Sequence, residues 1–232
     1  MKIIAFHSYQ GGVGNTQCAA STCIRGRESG LDVVGASLGQ NHDLRPHLQH
    51  AGVRWQDGLD VESLPETCDL LVLDIGTGSG LLDVVKPDLW IVPMRKDCAP
   101  DNAIRLLPSL EGVVWWLPTQ GHVRHVVPEE VRGRVTLARP LPKSDAMVQS
   151  FDAIRPVWAE HRSSAAAAAV ESLIANMFAY VGLAGTRRVR RLAYRGRPTR
   201  DWEWIRDYDA REAAARPRLA AYFETIRRQR AN

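Results

Sequence analysis

The feature that most constrains this chain is Ser8-Tyr9-Gln10-Gly11-Gly12-Val13-Gly14-Asn15-Thr16, set directly after the apolar run Ile3-Ile4-Ala5-Phe6. Three glycines within four residues end a strand, because glycine readily takes up turn conformations closed to other residues. Asn15 and Thr16 then open a helical stretch that runs to about Glu28 and stops at Ser29-Gly30, ahead of a second apolar segment. A strand, a glycine turn and a helix in this order outline a phosphate-binding loop. In such a loop backbone N–H groups converge on an anion, and the helix N-terminus adds partial positive charge.

The rest of the chain repeats the alternation. Short apolar, β-rich runs fall at 2–7, 32–37, 69–75, 88–93, 112–117 and 135–139. Helical patterns are predicted at 43–50, 79–86, 100–110, 144–160 and 163–182. Such alternation predicts βαβ units, hence an α/β fold with a doubly wound, mostly parallel sheet. Ser163 and Ser164 offer N-caps to an alanine-rich helix whose apolar face is Val170, Leu173, Ile174 and Phe178. Trp115 and Trp116 are neighbours in a strand and point to opposite faces, which puts at least one in the core.

Beyond Gly182 the composition changes. Seven arginines lie between Arg187 and Arg200, a segment that reads as an arm rather than a strand. Helices at about 201–214 and 218–230 follow, with Pro217 expected to separate them. The second carries Leu219, Tyr222, Phe223 and Ile226 on one face, suited to packing on the domain or on a partner, and Arg227, Arg228 and Arg230 near its end. The expected organisation is a nucleotide-binding-type domain over 1–182 and a basic arm with a helical C-terminal extension over 183–232.

Composition narrows the function classes. Four cysteines (Cys18, Cys23, Cys68 and Cys98) form no CxxC pair and read as reduced thiols of a cytoplasmic protein. No apolar run reaches the ~18 residues that span a bilayer, so no transmembrane segment is expected, and the first strand leaves no room for a cleavable leader. His42, His47 and His50 are spaced too unevenly to share one helical face, so no zinc site is assigned. No nucleophile-and-base arrangement is defensible from residue order, and no catalytic residue is assigned.

The chemistry therefore rests on the loop and on one acid. Gly11, Gly12, Val13, Gly14, Asn15, Thr16 and Gln17 form the candidate nucleotide-binding turn. The Thr16 hydroxyl and the Asp74 carboxylate, which ends the strand Leu70-Leu71-Val72-Leu73, are the candidate metal ligands. The alternative is a glycine turn that serves only close packing between strand and helix.

With these residues in view, the sequence resembles the ParA/MinD family of partitioning and positioning ATPases. That family's loop reads roughly K-G-G-V-G-K-T, against Gln10-Gly11-Gly12-Val13-Gly14-Asn15-Thr16 here. Asp74-Ile75-Gly76-Thr77-Gly78 is similar to its Walker B strand end, and Leu89-Trp90-Ile91-Val92-Pro93 to the strand that ends in proline near the nucleotide. Leu141-Pro142-Lys143-Ser144-Asp145, with Ser150 and Arg155-Pro156-Val157, resembles the late strand-to-helix segment. The resemblance covers about residues 1–182. It implies a P-loop NTPase fold, ATP and Mg²⁺ as cofactors, a homodimer, and work in DNA partition or subcellular positioning with a protein cargo or adaptor.

The departures from that pattern are coordinated. The lysine that reaches across the family's nucleotide-sandwich dimer is Gln10, and the loop lysine is Asn15. Where the family has D-x-D-P-Q after its second strand, this chain has Ser37-Leu38-Gly39-Gln40-Asn41. Asp43, a few residues on, reads as a helix N-cap. Each lysine–phosphate contact is worth roughly 1.5–3 kcal/mol, so losing two costs on the order of 10²–10⁴ in affinity. The expectation is a degenerate member, non-hydrolysing or a very weak ATPase, acting as a nucleotide-sensing or scaffolding hub. The alternatives are a slow but genuine ATPase with substitute residues, and a nucleotide-free adaptor that binds through its tail.

In the arm, Arg187, Arg188, Arg190, Arg191, Arg195 and Arg197 are the candidate contacts to DNA phosphates, without sequence preference. The same charges also suit an acidic protein or membrane surface, or ion pairs with Asp201, Glu203, Asp207 and Asp209.

Overall fold

The structure, a computed structural model, describes residues 1–40, 43–95, 105, 107–119, 133–183, 192, 194 and 207–231. Seven strands form one parallel sheet: β1 (Lys2–His7), β2 (Val33–Ser37), β3 (Arg54–Asp57), β4 (Leu70–Ile75), β5 (Leu89–Arg95), β6 (Val114–Thr119) and β7 (Val135–Leu137). Their spatial order is β3-β2-β4-β1-β5-β6-β7. The described helices are α1 (Asn15–Glu28), α2 (Leu44–His50), α3 (Asp145–Asp152), α4 (Val157–Glu160), α5 (Ala165–Tyr180) and α6 (Tyr208–Ala231). The doubly wound α/β fold is as the alternation implies. No described helix is long and apolar enough to cross a membrane.

β1 lies at the centre, between β4 and β5, with Phe6 opposite Asp74 on one side and Ile91 on the other. Its residues alternate between two cores. Ile4 and Phe6 pack with Cys18, Cys23, Ile24, Leu48, Leu173 and Phe178, the face covered by α1, α2 and α5. Ile3 and Ala5 join the opposite cluster with Trp90, Trp116, Leu219, Phe223 and Ile226, the face covered by α6. Because the chain reverses direction across the sheet at β1, the carboxyl ends of β1, β2 and β4 open a crevice at the switch point.

Several local expectations hold. Ser164 caps α5, its hydroxyl accepting from the Ala167 N–H at 3.1 Å. Trp116 is core, while Trp115 is half-buried beside Tyr180. Cys18 and Cys23 are buried thiols and Cys68 is a partly exposed one, whereas Cys98 lies outside the described residues.

Others are corrected. β3 lacked an apolar alternation to announce it; it forms as an edge strand because it pairs with β2 and lays Trp55 on the core. Residues 79–86 make turns rather than a helix, between Gly78 with φ 79° and the break at Pro87. The stretch 144–160 divides into α3 and α4, because Ile154 sits at φ 54° and Pro156 excludes its predecessor from a helix. Of 100–110, only residues 105 and 107–110 lie among the described residues, with a short 3₁₀ turn at Leu107–Ser109.

The largest correction concerns the C-terminus, where 208–231 is one helix that runs through Pro217. Proline removes one helical N–H and crowds the preceding turn. Burial on both sides outweighs that loss, with Tyr208 and Ala215 before Pro217 and Leu219, Phe223 and Ile226 after it. α6 therefore completes one face of the sheet. Phe223→Ala is expected to lower stability by about 3–5 kcal/mol, the range for truncating a buried aromatic. Guanidinium denaturation should show one transition at a lower midpoint; an unchanged main transition would mean that α6 folds apart from the sheet.

Candidate functional site

The glycine turn has the geometry its sequence requires. Gly12 at φ 73° and Gly14 at φ 93° occupy the left-handed region that side chains disfavour. Gly14 is the N-cap of α1, and its carbonyl accepts from Cys18 N–H at 3.0 Å. Gly11, Gly12, Gly14, Asn15, Thr16 and Gln17 line a cavity of about 430 Å³, together with Asp43, Asp74 and the chain at Gly39-Gln40 and Gly76-Thr77. Val13 instead buries its side chain in the core. None of the described lining residues is Lys or Arg.

Asn15 does more than leave a lysine's place empty. Its Nδ2 donates to Asp74 Oδ1 at 2.7 Å, with the Phe6 and Ile75 carbonyls at 3.3 and 3.4 Å. The carboxamide thus turns to the floor of the cavity and ties the first residue of α1 to the ends of β1 and β4. Its Oδ1 is buried with no hydrogen-bond partner. Thr16 also hydrogen-bonds the Asp74 carboxylate, so the two candidate metal ligands are adjacent. Gln17 reaches away, donating to the Met147 carbonyl at 2.7 Å and fastening α1 to α3.

Burial pushes the Asp74 carboxyl up to about 6; the bond from Thr16 opposes that rise, the Asp43 charge adds to it, and the bond from Asn15 opposes it. His7, two residues after Ala5 on β1, is pushed down to about 4 by burial and points Nδ1 at the Ile75 carbonyl, 3.2 Å away. Asp43 occupies the N-cap position of α2 but makes no side-chain cap bond. It lines the cavity instead, which corrects the reading of Asp43 as a capping residue.

The missing acids have a structural counterpart. Ser37 is buried and accepts from the Trp55 indole N–H at 3.2 Å. At Gly76 a Cβ would come within 2.7 Å of the Gly39 Cα, so the loops after β2 and β4 touch backbone to backbone. Asn41 and His42 lie outside the described residues, as do Arg187, Arg188, Arg190, Arg191, Arg195 and Arg197.

Sequence reasoning missed one cation. Arg95, at the carboxyl end of β5, brings Nη1 within 3.9 Å of where a Cβ on Gly12 would stand. The available signal was a basic residue two positions after Pro93, on the strand next to β1.

Hydroxyl and carboxylate oxygens are the donors that Mg²⁺ prefers, and an orphaned buried amide oxygen beside them fits a cation-binding cavity. Among the described residues no group of three or more His, Cys, Asp or Glu forms a cage. The set therefore suits a cation shared with phosphate and water rather than one enclosed by protein.

The pH dependence follows from two opposing groups. Between about pH 4 and 6 the folded state keeps a proton on Asp74 that the unfolded chain has lost, so this contribution weakens as pH rises through 6. His7 acts in reverse, since below pH 6.5 the unfolded chain gains a proton that the folded state refuses. Asp74→Asn isolates the first effect. At pH 7.5, without metal, it should raise stability by about 2–3 kcal/mol, a gain that vanishes by pH 4. Thermal melts across that range check it, and an equal gain at both ends would overturn the assignment.

No protein-family model and no curated protein sequence matches the chain. Solved structures do. The septum site-determining protein MinD of Pyrococcus horikoshii, complexed with Mg-ADP, is 14% identical, with 76% of this chain and 95% of that chain covered at a TM-score of 0.56. MinD in the MinC:MinD cell division protein complex of Aquifex aeolicus is 11% identical, with coverage of 77% and 96% and a TM-score of 0.58. A ParA family ATPase from Chlorobium tepidum is 11% identical, with coverage of 75% and 97% and a TM-score of 0.55. Strand order, glycine turn and these neighbours together establish that the chain has the ParA/MinD-like P-loop fold.

Proposed function

We propose that this chain is a ParA/MinD-like protein that takes up Mg²⁺–nucleotide weakly and is non-hydrolysing or a very weak ATPase, acting as a nucleotide-sensing or scaffolding hub in DNA partition or subcellular positioning. The observation that carries this reading is the Asn15 carboxamide bonded to Asp74 inside an otherwise intact phosphate turn. The turn keeps its glycines and its helix terminus, which bind anions through backbone N–H groups. It lacks the ammonium that would stabilise charge on a transferring phosphoryl group, and neither Ser37 nor Gly39 supplies an acid to orient water.

Thr16 and Asp74 would hold the Mg²⁺, with Asp43 facing the same cavity. The ion would supply the positive charge that the lining residues lack. Two carboxylates, with no Lys or Arg among the described lining residues, make the cavity unfavourable to a bare polyphosphate, so binding is expected to depend on the metal. The homologous fold of an Mg-ADP complex supports the same cofactor pair here.

One observation favours the second reading, a slow but genuine ATPase. The Arg95 guanidinium beside Gly12 is a cation in cis at the loop. Under that reading Arg95→Ala abolishes a turnover that the wild type shows clearly, whereas under the first the wild type itself shows little or none.

Isothermal titration with ADP, with and without Mg²⁺, tests the main reading. Binding in the high-micromolar to millimolar range that disappears with EDTA is expected. Asn15→Lys should tighten it by roughly tenfold to a hundredfold, the worth of one charged hydrogen bond. No binding at millimolar Mg·ADP would overturn the nucleotide reading and leave the adaptor.

The arm's composition supports contact with DNA phosphates through Arg187, Arg188, Arg190, Arg191, Arg195 and Arg197. DNA retention should fall steeply with salt, each contacted phosphate adding about 0.9 to the log–log slope. Retention unchanged after replacing Arg187, Arg188, Arg190 and Arg191 with alanine would overturn that contact.

A further inference from the structure

The loops after β2 and β4 form one wall of the cavity, through Gly39, Gln40, Gly76 and Thr77. Both are tied from behind by a single turn of α6. Glu212 accepts from the Gly80 backbone N–H at 2.9 Å through one carboxylate oxygen and from the Ser79 hydroxyl at 3.2 Å through the other. The Tyr208 hydroxyl, one helical turn earlier, lies 2.5 Å from that second oxygen and 3.0 Å from the Leu38 carbonyl. With one proton to give, it serves the carboxylate and the carbonyl alternately. Leu38 in turn donates its N–H to the Asp74 carbonyl at 2.8 Å. An unbroken line of hydrogen bonds therefore runs from α6 to the metal-side residue of the cavity.

The contact is closely fitted. A Cβ on Gly80 would come within 2.7 Å of Glu212 Oε1, so a side chain at residue 80 would displace this carboxylate from its present position. Arg216 adds hydrogen bonds to the Gly80 carbonyl and to Asp83. Away from the cavity the same helix is held by other contacts, among them the Tyr222 hydroxyl on the Pro65 carbonyl at 2.7 Å.

We propose that Tyr208 and Glu212 are positioning residues of the nucleotide cavity: they fix the loops after β2 and β4 relative to each other, so that filling the cavity and docking the first turns of α6 stabilise one another. The inference rests on the reading of the cavity as an Mg²⁺–nucleotide site, which it deepens. Coupling of this kind is reciprocal. If the helix tightens ligand binding, the ligand tightens the helix by the same factor.

Tyr208→Phe and Glu212→Ala test it in the full chain, with Tyr222→Phe as a control that removes a comparable hydrogen bond from the same helix. Mg·ADP is the probe. Both cavity-side variants should weaken binding roughly threefold to tenfold, about half the worth of one hydrogen bond to a charged group, since only part of the loss reaches the cavity. Tyr222→Phe should lower the melting temperature by a similar amount and leave affinity unchanged. Affinity falling equally in all three variants would reduce the effect to general stability and overturn the proposal, as would full affinity in the two cavity-side variants.

Hydrogen exchange without nucleotide separates this inference from the one beneath it. In Glu212→Ala the amides at 38–40 and 76–80 should exchange faster than in wild type, while those of α1 do not. Unchanged exchange there overturns the positioning role even if Mg·ADP binds. If wild type fails to bind Mg·ADP, the nucleotide reading and the coupling fall together, and the exchange comparison still decides whether α6 orders the loops.

Discussion

The hydrogen bond from Asn15 to Asp74 is the constraint around which the rest of the site is arranged. It joins the start of α1 to the end of β4 across β1, the central strand, and it does so with a neutral donor. A lysine in the same position would give Asp74 a countercharge. Without one, Asp74 is buried beside a second acid, and its carboxyl rises to about 6. Burial is the main cause of that rise, and Asn15 opposes it only as a neutral donor.

The positions where the resembled family places acids have become structural contacts. Ser37 receives the Trp55 indole, which anchors the edge strand β3, and Gly39 meets Gly76 along the backbone. A longer side chain at residue 37 would meet the Trp55 indole, and a Cβ at residue 76 would meet the Gly39 backbone. The departures are therefore integrated with the packing of the loops that line the cavity.

How much was legible in the sequence follows from the range of the forces involved. The central strands were readable because continuous apolar runs report burial on both faces, and the glycine turn because Gly12 and Gly14 need positive φ. β3 was not, since Arg54-Trp55-Gln56-Asp57 owes its extended form to pairing with β2 rather than to its own pattern. Pro217 was misread for a related reason. Local propensity argues for a break there, and tertiary burial of Leu219, Phe223 and Ile226 overrides it. In the site, Thr16 and Asp74 were legible as a pair. Asp43 facing the cavity, Arg95 at the loop and the Tyr208–Glu212 contact depend on separations that no local pattern encodes.

The packing of α6 also bears on how the chain comes into being. β1, at the centre of the sheet, is made long before residues 208–231, which supply part of the cover on one of its faces. Until α6 docks, Ile3, Ala5, Trp90 and Trp116 lack the cover of Leu219, Phe223 and Ile226, on a parallel sheet whose strands pair across long sequence separations. A nascent chain of this design is most exposed to wrong contacts in the interval between the making of β1 and the docking of α6.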